Sequence, residues 1–374
     1  MLLAEGLAAR KKGEPFAITV VTNTASGKFD DSALPFTVIR RPGIIRLFKL
    51  IRGTDLLHAV GPSLGPLCIA YLLGKPFVIE HHAYQAVCPN GLLLHQPDRT
   101  ACYDLFMQGQ TGECLRCNSA EVGRFRSFRM LMLTWPRRWF CRRATVNLAI
   151  TQHVAQRIRL PRTILVYYGV PDFAQEVGER PRGEKANSEL ILTVGYLGRL
   201  VQEKGISTLI EAAHSLQREG FHTATKIIGD GPERTHLERL AQADGKEHAI
   251  TFTGMLTGAD LRKALNEVDV LVLPSLWEEP AGLVVMEHLM RGRPVIVSDN
   301  GGAAELAGEA GLRFPPGDAM SLAECIKRFV DDPSLGEELG RRARKRALEN
   351  FTQERMVEEH CEIFKKAIFK SGAG

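Results

Sequence analysis

The chain has 374 residues, 44% of them hydrophobic and 24% charged, with a formal net charge of +5. That length exceeds one ordinary core and makes two domains the expectation, and the balance excludes a disordered or fibrous chain. No run reaches the roughly 18–20 apolar residues of a membrane span. The start, Met1-Leu2-Leu3-Ala4-Glu5-Gly6-Leu7, lacks the basic residues and long apolar run of a signal peptide, so a cytoplasmic location is expected.

In chain order, residues 2–12 carry an amphipathic helical pattern. β-branched runs then predict strands at Phe16–Val21, Phe36–Arg40, Leu56–Val60, Phe77–Glu80, Val146–Ile150 and Ile164–Tyr168, with helical patterns between most of them. The polar stretch Pro171–Asn187 has Gly and Pro but no periodicity and reads as a linker. A second alternation follows, with strands at Leu190–Val194, Thr225–Ile228, Ile250–Phe252, Val270–Leu273 and Val295–Val297. Helices are predicted at Gly205–Glu219, Pro232–Ala243, Asp260–Glu267, Gly282–Arg291, Met320–Val330 and Leu335–Asn350, with a last amphipathic segment at Gln353–Phe369.

The expected architecture is therefore α/β with two Rossmann-like, doubly wound domains, about 1–171 and 172–350, residues 351–374 crossing back to the first. A doubly wound domain usually opens with a strand. Its absence before Phe16 means either a start recorded too late or a sheet without a central strand, and a late start is the reading taken.

Charge is uneven. Up to Pro171 there are 22 Lys and Arg against 10 Asp and Glu, and beyond it 26 against 33. The basic half suits an anionic membrane surface or a phosphate-bearing acceptor, or is a solvated Arg-rich face. Two stretches interleave cations with apolar residues: 40–52, and 135–143 with its two tryptophans. Such segments suit an interfacial helix beside anionic lipid, or are amphipathic core helices. No nucleic-acid fold motif accompanies them, so no nucleic-acid partner is expected.

The strongest chemical signal is Leu276-Trp277-Glu278-Glu279-Pro280-Ala281-Gly282-Leu283-Val284-Val285-Met286-Glu287. A strand ends, a loop carries Glu279, and a helix begins whose backbone N–H groups can face a phosphate. Glu287, more than a turn along it, can join Glu279 in gripping a ligand rich in hydroxyls. Gly195-Tyr196-Leu197-Gly198-Arg199-Leu200-Val201-Gln202-Glu203-Lys204-Gly205 sets two cations between glycines that let the backbone come close to a ligand. No Asp-x-Asp occurs, which favours cations and helix starts over a divalent ion, and no Gly-x-Gly-x-x-Gly follows a strand, which disfavours an NAD dehydrogenase.

Glu279-x7-Glu287, Gly292-Arg293-Pro294-Val295-Ile296, Gly301-Gly302-Ala303-Ala304-Glu305, Gly229-Asp230-Gly231-Pro232 and Phe252-Thr253-Gly254 together resemble the donor-domain signature of the family-4 retaining glycosyltransferases, glycosyl transferases group 1. The resemblance implies a GT-B fold, two Rossmann-like domains facing a central cleft. The activity it implies is transfer of a sugar from a nucleotide-diphosphate donor to a saccharide or lipid-linked acceptor, in cell-surface polysaccharide or glycoconjugate synthesis. By position, Arg199 and Lys204 resemble the cations on the diphosphate, Glu287 the acid on the ribose, and Glu279 the acid on the transferred sugar. Ala281, Gly282 and Leu283 open the donor helix, and Gly229 and Gly231 are backbone approach points. His82 resembles the histidine near the sugar's 6-hydroxyl; many members have Asp after it where this chain has Ala83, which leaves the partner of His82 open. His58 reads as a packing residue. Retention, and catalysis without a metal cofactor, come from the resemblance alone. A nucleotide-sugar epimerase of the same fold and a non-catalytic nucleotide-sugar binder are the alternatives.

Cys88, Cys102, Cys114 and Cys117 fall in an insertion over residues 88–117, and Cys114-Leu115-Arg116-Cys117 has ligand-like spacing for a structural zinc. A redox pair or unligated thiols are the other readings. Without a staple, so long an insertion has little core of its own.

Overall fold

The computed structural model describes residues 2–9, 16–24, 30–173, 192–243 and 250–372, with side chains to residue 369. Most of the expected linker, and residues 10–12 of the first helical pattern, lie outside the described residues. The chain divides into two compact units. One holds residues 1–92, 104–170 and 350–374, and the other residues 93–103 and 171–349.

The first unit begins with α1 (Leu2–Ala8). A parallel pair follows, β1 (Thr19–Thr22) with β2 (Thr37–Arg40), and then α2 (Ile44–Arg52). Next come β3 (Leu57–Val60), α3 (Leu64–Leu72) and β4 (Phe77–His81). Two very short antiparallel strands, β5 (Leu94–His95) and β6 (Thr100–Ala101), form a hairpin that groups with the second unit. Back in the first unit are α4 (Thr111–Val122), α5 (Arg124–Arg143), β7 (Val146–Ala149), α6 (Gln152–Ile158) and β8 (Thr163–Leu165). The sheet here is four-stranded and parallel, in the order β3-β4-β7-β8.

β4 is buried on both faces, as a continuous apolar run in a parallel sheet should be, yet it carries Glu80 and His81 inside that burial. α14 (Gln353–Gly372) covers this sheet. Met356, Val357, Cys361, Ile363, Phe364 and Ala367 share a core with Val78, Leu148 and Val166. α1 packs on α14 so closely that a Cβ on Gly6 would stand 2.3 Å from Val357 Cγ2. The cysteine-bearing segment is better packed than its composition suggests, because Phe106, Cys114 and Leu131 form a small apolar cluster flanked by Leu105, Met107 and Leu115.

The second unit is a six-stranded, all-parallel sheet in the order β11-β10-β9-β12-β13-β14. Its elements are β9 (Leu192–Leu197), α7 (Ile206–Arg218), β10 (Thr223–Ile228), α8 (Arg234–Ala241), β11 (Ile250–Gly254), α9 (Gly258–Asn266) and β12 (Val270–Leu273). They continue with α10 (Leu283–Met290), β13 (Val295–Ser298), α11 (Gly301–Ala307), β14 (Gly311–Phe314), α12 (Ala319–Asp331) and α13 (Pro333–Asn350). β12 and β13 are wholly buried. Strand order runs one way from β9 to β11 and the other way from β12 to β14. The reversal lies between β9 and β12, and in an open α/β sheet ligands gather beyond the strand ends at that point.

Candidate active site

The residues of the second unit to which the resemblance gives a site role follow the carboxyl ends of strands: Arg199 and Lys204 after β9, Gly229 and Gly231 after β10, Glu279 to Glu287 after β12. After β9 the chain makes a 3-10 turn over Gln202–Lys204 and then enters α7 through Gly205. Gly205 has φ 65°, and a Cβ there would stand 2.0 Å from the Pro274 carbonyl oxygen. Only glycine fits, because the turn is laid on the backbone that leaves β12. The Leu276 N–H donates to the Glu203 carbonyl at 2.9 Å and joins the same two segments.

This contact brings Lys204 to Glu279, whose carboxylate Oε1 receives the Lys204 ammonium and also the Ser275 hydroxyl at 2.6 Å. Glu279 is 5% exposed. Burying a carboxylate that deeply is costly unless donors such as these satisfy it. The Glu279 backbone is fixed too: its carbonyl accepts the Gly302 N–H at 2.5 Å, and a Cβ on Gly301 would stand 2.5 Å from the Glu279 nitrogen. The Gly-Gly start of α11 therefore clamps the loop that carries Glu279.

The glycines after β10 have a role that sequence spacing does not reveal. A Cβ on Gly229 would lie 1.9 Å from the Gly198 carbonyl oxygen, and one on Gly231 2.3 Å from that of Leu200. The backbone they approach is the chain's own, that of the Arg199 loop, which is held by Leu200 N–H to the Asp230 carbonyl at 3.0 Å and Glu233 N–H to the Leu200 carbonyl at 3.1 Å. The Tyr196 hydroxyl, buried under this loop, donates to the Arg199 carbonyl at 2.9 Å. Burial first, and the Glu279 and Glu203 charges after it, push its ionisation well up, so it remains a donor. The Arg199 side chain is exposed, and among the described residues its guanidinium has no ion-pair partner. α10 begins after Ala281 and Gly282; the N–H groups of Leu283 and Val284 precede its hydrogen-bond ladder, whereas that of Val285 donates to the Gly282 carbonyl at 2.9 Å. Glu287 is half-buried on α10, and burial raises its carboxyl above the ordinary range although Arg291 opposes this.

In the first unit, His82 follows β4 and is 36% exposed. Its Nε2 lies 3.3 Å from Glu80 Oε1, and its ring meets the hydroxyl of Tyr168, which follows β8. Glu80 and Tyr168 thus supply the partners that Ala83 does not. Burial and the nearby Glu80 charge push the Tyr168 hydroxyl well up, so it stays protonated. His81 turns inward to Asn147 Oδ1 at 2.9 Å. Both Asn147 amide donations go to carbonyls, of Cys141 and Pro161, so the amide oxygen accepts and His81 Nε2 carries the proton. Burial lowers His81 to about 4 and keeps it neutral. His58 is more than packing: its Nε2 lies 3.1 Å from Glu80 Oε2. Glu80, Tyr168, His58 and His360 are the residues that sequence inspection missed. Only the run Glu80-His81-His82 hinted at them.

Cys88, Cys102, Cys114 and Cys117 are all buried, with Cys114 and Cys117 one turn apart on α4. α2 turns Ile44 and Ile45 outward, 66% and 72% exposed. The amino-terminal half of α5 exposes Phe125 and Phe128 among Arg124, Arg126 and Arg129. Among the described residues no helix is long and apolar enough to cross a membrane.

Residues 180–346 match the family model of glycosyl transferases group 1. The alpha-D-kanosaminyltransferase of Streptomyces kanamyceticus is 30% identical over 221 residues, 56% of this chain and 57% of that protein. The lipopolysaccharide core biosynthesis glycosyltransferase LpsE of Rhizobium meliloti is 34% identical over 169 residues, 45% and 48% of the two. The chain thus spans about half the length of these relatives. In fold, the crystal structure of Anabaena Alr3699/HepE in complex with UDP is similar with a TM-score of 0.70 at 18% identity, covering 98% of this chain and 95% of that one. With its all-parallel sheet, its glycine-locked loops and this match, the second unit is a glycosyl transferases group 1 domain, and the chain has the α/β fold of the GT-B glycosyltransferases.

Proposed function

We propose that this protein is a retaining glycosyltransferase that moves a sugar from a nucleotide-diphosphate donor to a saccharide or lipid-linked acceptor in glycoconjugate synthesis. The observation that carries the reading is the Lys204–Glu279 pair, held by glycine contacts at the strand-order reversal and followed by the start of α10. The diphosphate lies against the first-turn N–H groups of α10. Lys204 and the unpaired Arg199 neutralise the charge that grows on it as its bond to the anomeric carbon breaks. Glu287 accepts hydrogen bonds from the ribose hydroxyls, and Glu279, sharing Lys204, accepts from the sugar. The acceptor hydroxyl bonds to the anomeric carbon on the face the phosphate leaves, and its proton passes to the departing diphosphate. No step uses a metal ion. His82, oriented by Glu80 and Tyr168, serves on the sugar and acceptor side.

A panel of nucleotide sugars, read by thermal stabilisation and slow hydrolysis, tests this reading. At least one should stabilise the protein and turn over with the anomeric configuration kept; stabilisation without turnover would leave a binder, and an inverted product would refute retention. The anionic membrane surface as a partner is supported by the outward apolar residues of α2 and α5 among their cations. A structural zinc on Cys88, Cys102, Cys114 and Cys117 is supported by the ligand-like spacing of Cys114-Leu115-Arg116-Cys117. Elemental analysis should find the zinc, and Cys114→Ser should lose it.

A further inference from the structure

One buried cluster in the first unit shares only Glu80 with the chemistry above. His58 on β3, Glu80 on β4 and His360 on α14 bring their ligand atoms within 4.8 Å of one another. Glu80 is 4% exposed and His360 1%. Glu80 Oε2 faces both rings, 3.1 Å from His58 Nε2 and 3.9 Å from His360 Nε2.

Proton placement makes the cluster unusual. His360 Nδ1 lies 2.8 Å from the Met356 carbonyl oxygen, which can only accept, so Nδ1 carries the hydrogen. The lone pair of the neutral ring is then on Nε2, which points at a carboxylate oxygen. Among the described residues neither His360 Nε2 nor His58 Nε2 has a hydrogen-bond partner, although both atoms are buried. The His58 contact is short enough but out of line, and the His360 contact is too long. The His360 lone pair and the Glu80 carboxylate, facing one another in a buried space, repel unless a cation sits between them. Ligand atoms about 2.0–2.2 Å from a tetrahedral zinc lie roughly 3.3–3.5 Å apart, and the two measured separations fall on either side of that value.

We propose that His58 Nε2, Glu80 Oε2 and His360 Nε2 hold a divalent transition ion of the zinc class, which pins α14 to β3 and β4. Two imidazoles and a carboxylate suit zinc or its first-row neighbours rather than calcium or magnesium, which take oxygen ligands. The surroundings complete the site. The His360 Nδ1–H donates to a carbonyl, as ligating histidines commonly do, and the carboxylate's other oxygen is held by His82. Phe364 packs against both rings, 5.1 Å from His58 and 5.7 Å from His360 between centroids, and shields the space from water. Three protein ligands leave one position for water.

Cobalt(II) titration of the full chain after chelator dialysis tests the site and separates it from the cysteines. A Cys114→Ser, Cys117→Ser background removes the sulfur-to-cobalt charge-transfer band. One equivalent of cobalt should still give the visible bands of a nitrogen- and oxygen-ligated ion, and zinc should raise the melting temperature. His360→Gln should weaken that binding at least tenfold, and so should His58→Gln, whose half-buried position makes it the safer variant for folding. Absence of the bands in the parent would overturn the proposal and leave an ion-free carboxylate–imidazole clamp. Bands unchanged in both variants would also overturn it.

Discussion

The two units build their candidate site residues by different means. In the second unit, Lys204 and Glu279 are placed by backbone laid on backbone, with glycines where a Cβ would strike a neighbouring main chain. In the first, Glu80 and His82 are placed by side chains from positions 58, 168 and 360, and the backbone is ordinary there. Contacts between loops that follow neighbouring strands leave a local signature, because they demand a particular residue. Clusters gathered from distant segments leave almost none. A rigid backbone cradle suits a ligand whose charge must be met by fixed dipoles, whereas a network of titratable side chains can move protons or hold an ion.

The comparison can be broken most severely at Gly229. A Cβ at Gly229 would meet the Gly198 carbonyl oxygen at 1.9 Å, so Gly229→Ala must displace the Arg199 loop. We expect a loss of about 2–4 kcal/mol in chemical denaturation, the range of overpacking and backbone strain together, with donor binding lost. A wild-type-like midpoint would mean that the loops are not locked as described.

Lys204→Ala should act next most strongly. It leaves Glu279 buried with only Ser275 beside it and removes one charge-assisted bond to phosphate, which corresponds to about 10- to 100-fold weaker donor binding. Calorimetric titration with the donor found in the nucleotide-sugar panel reads this directly.

A smaller effect is expected at His288, which is fully buried on α10 with Nε2 unpartnered among the described residues. Burial first, then Arg293 and Arg291, hold its ionisation well below 6.5. The unfolded ring takes up its proton near 6.5 while the folded ring does not, so stability falls as the pH drops below about 6.5. His288→Leu should flatten that acid limb and cost little at neutral pH, because no hydrogen bond of Nε2 is lost. Urea melts at pH 5 and pH 8 would show it, and an unchanged slope would place the titration elsewhere.

The smallest expected effect is on the fold itself. Ile45→Asp on α2 should leave the melting temperature within a degree or two, because this side chain is 72% exposed. It should reduce sedimentation with vesicles of phosphatidylcholine and phosphatidylserine if that surface meets anionic lipid. Equal sedimentation would remove the membrane from the account.

Legibility in the sequence followed the same division. Most of the strands and helices after Leu192 were readable to within three residues at either end, because buried parallel strands such as Val270–Leu273 are continuous apolar runs flanked by turn residues. α11 and β14 were missed: Gly301–Ala307 is short and small-residued, and Gly311–Phe314 is split by Arg313. In the first unit, α5 was not anticipated as one 20-residue helix because Pro136 interrupts the pattern, although the helix runs through it. The donor residues could be named from spacing. Their mutual pairing could not, since the Lys204–Glu279 contact depends on β9 and β12 being neighbours, a fact of sheet order. The Tyr168 partner of His82 was invisible for the same reason at greater range, because it stands 86 residues away.

The most direct test of the central claim is donor binding in buffer without added divalent ion, comparing wild type with Lys204→Ala and Glu287→Ala. The account predicts that the donor sugar nucleotide binds wild type unaided and that both variants lose at least tenfold in affinity. Binding that requires an added metal ion, or that is unchanged in both variants, would contradict it.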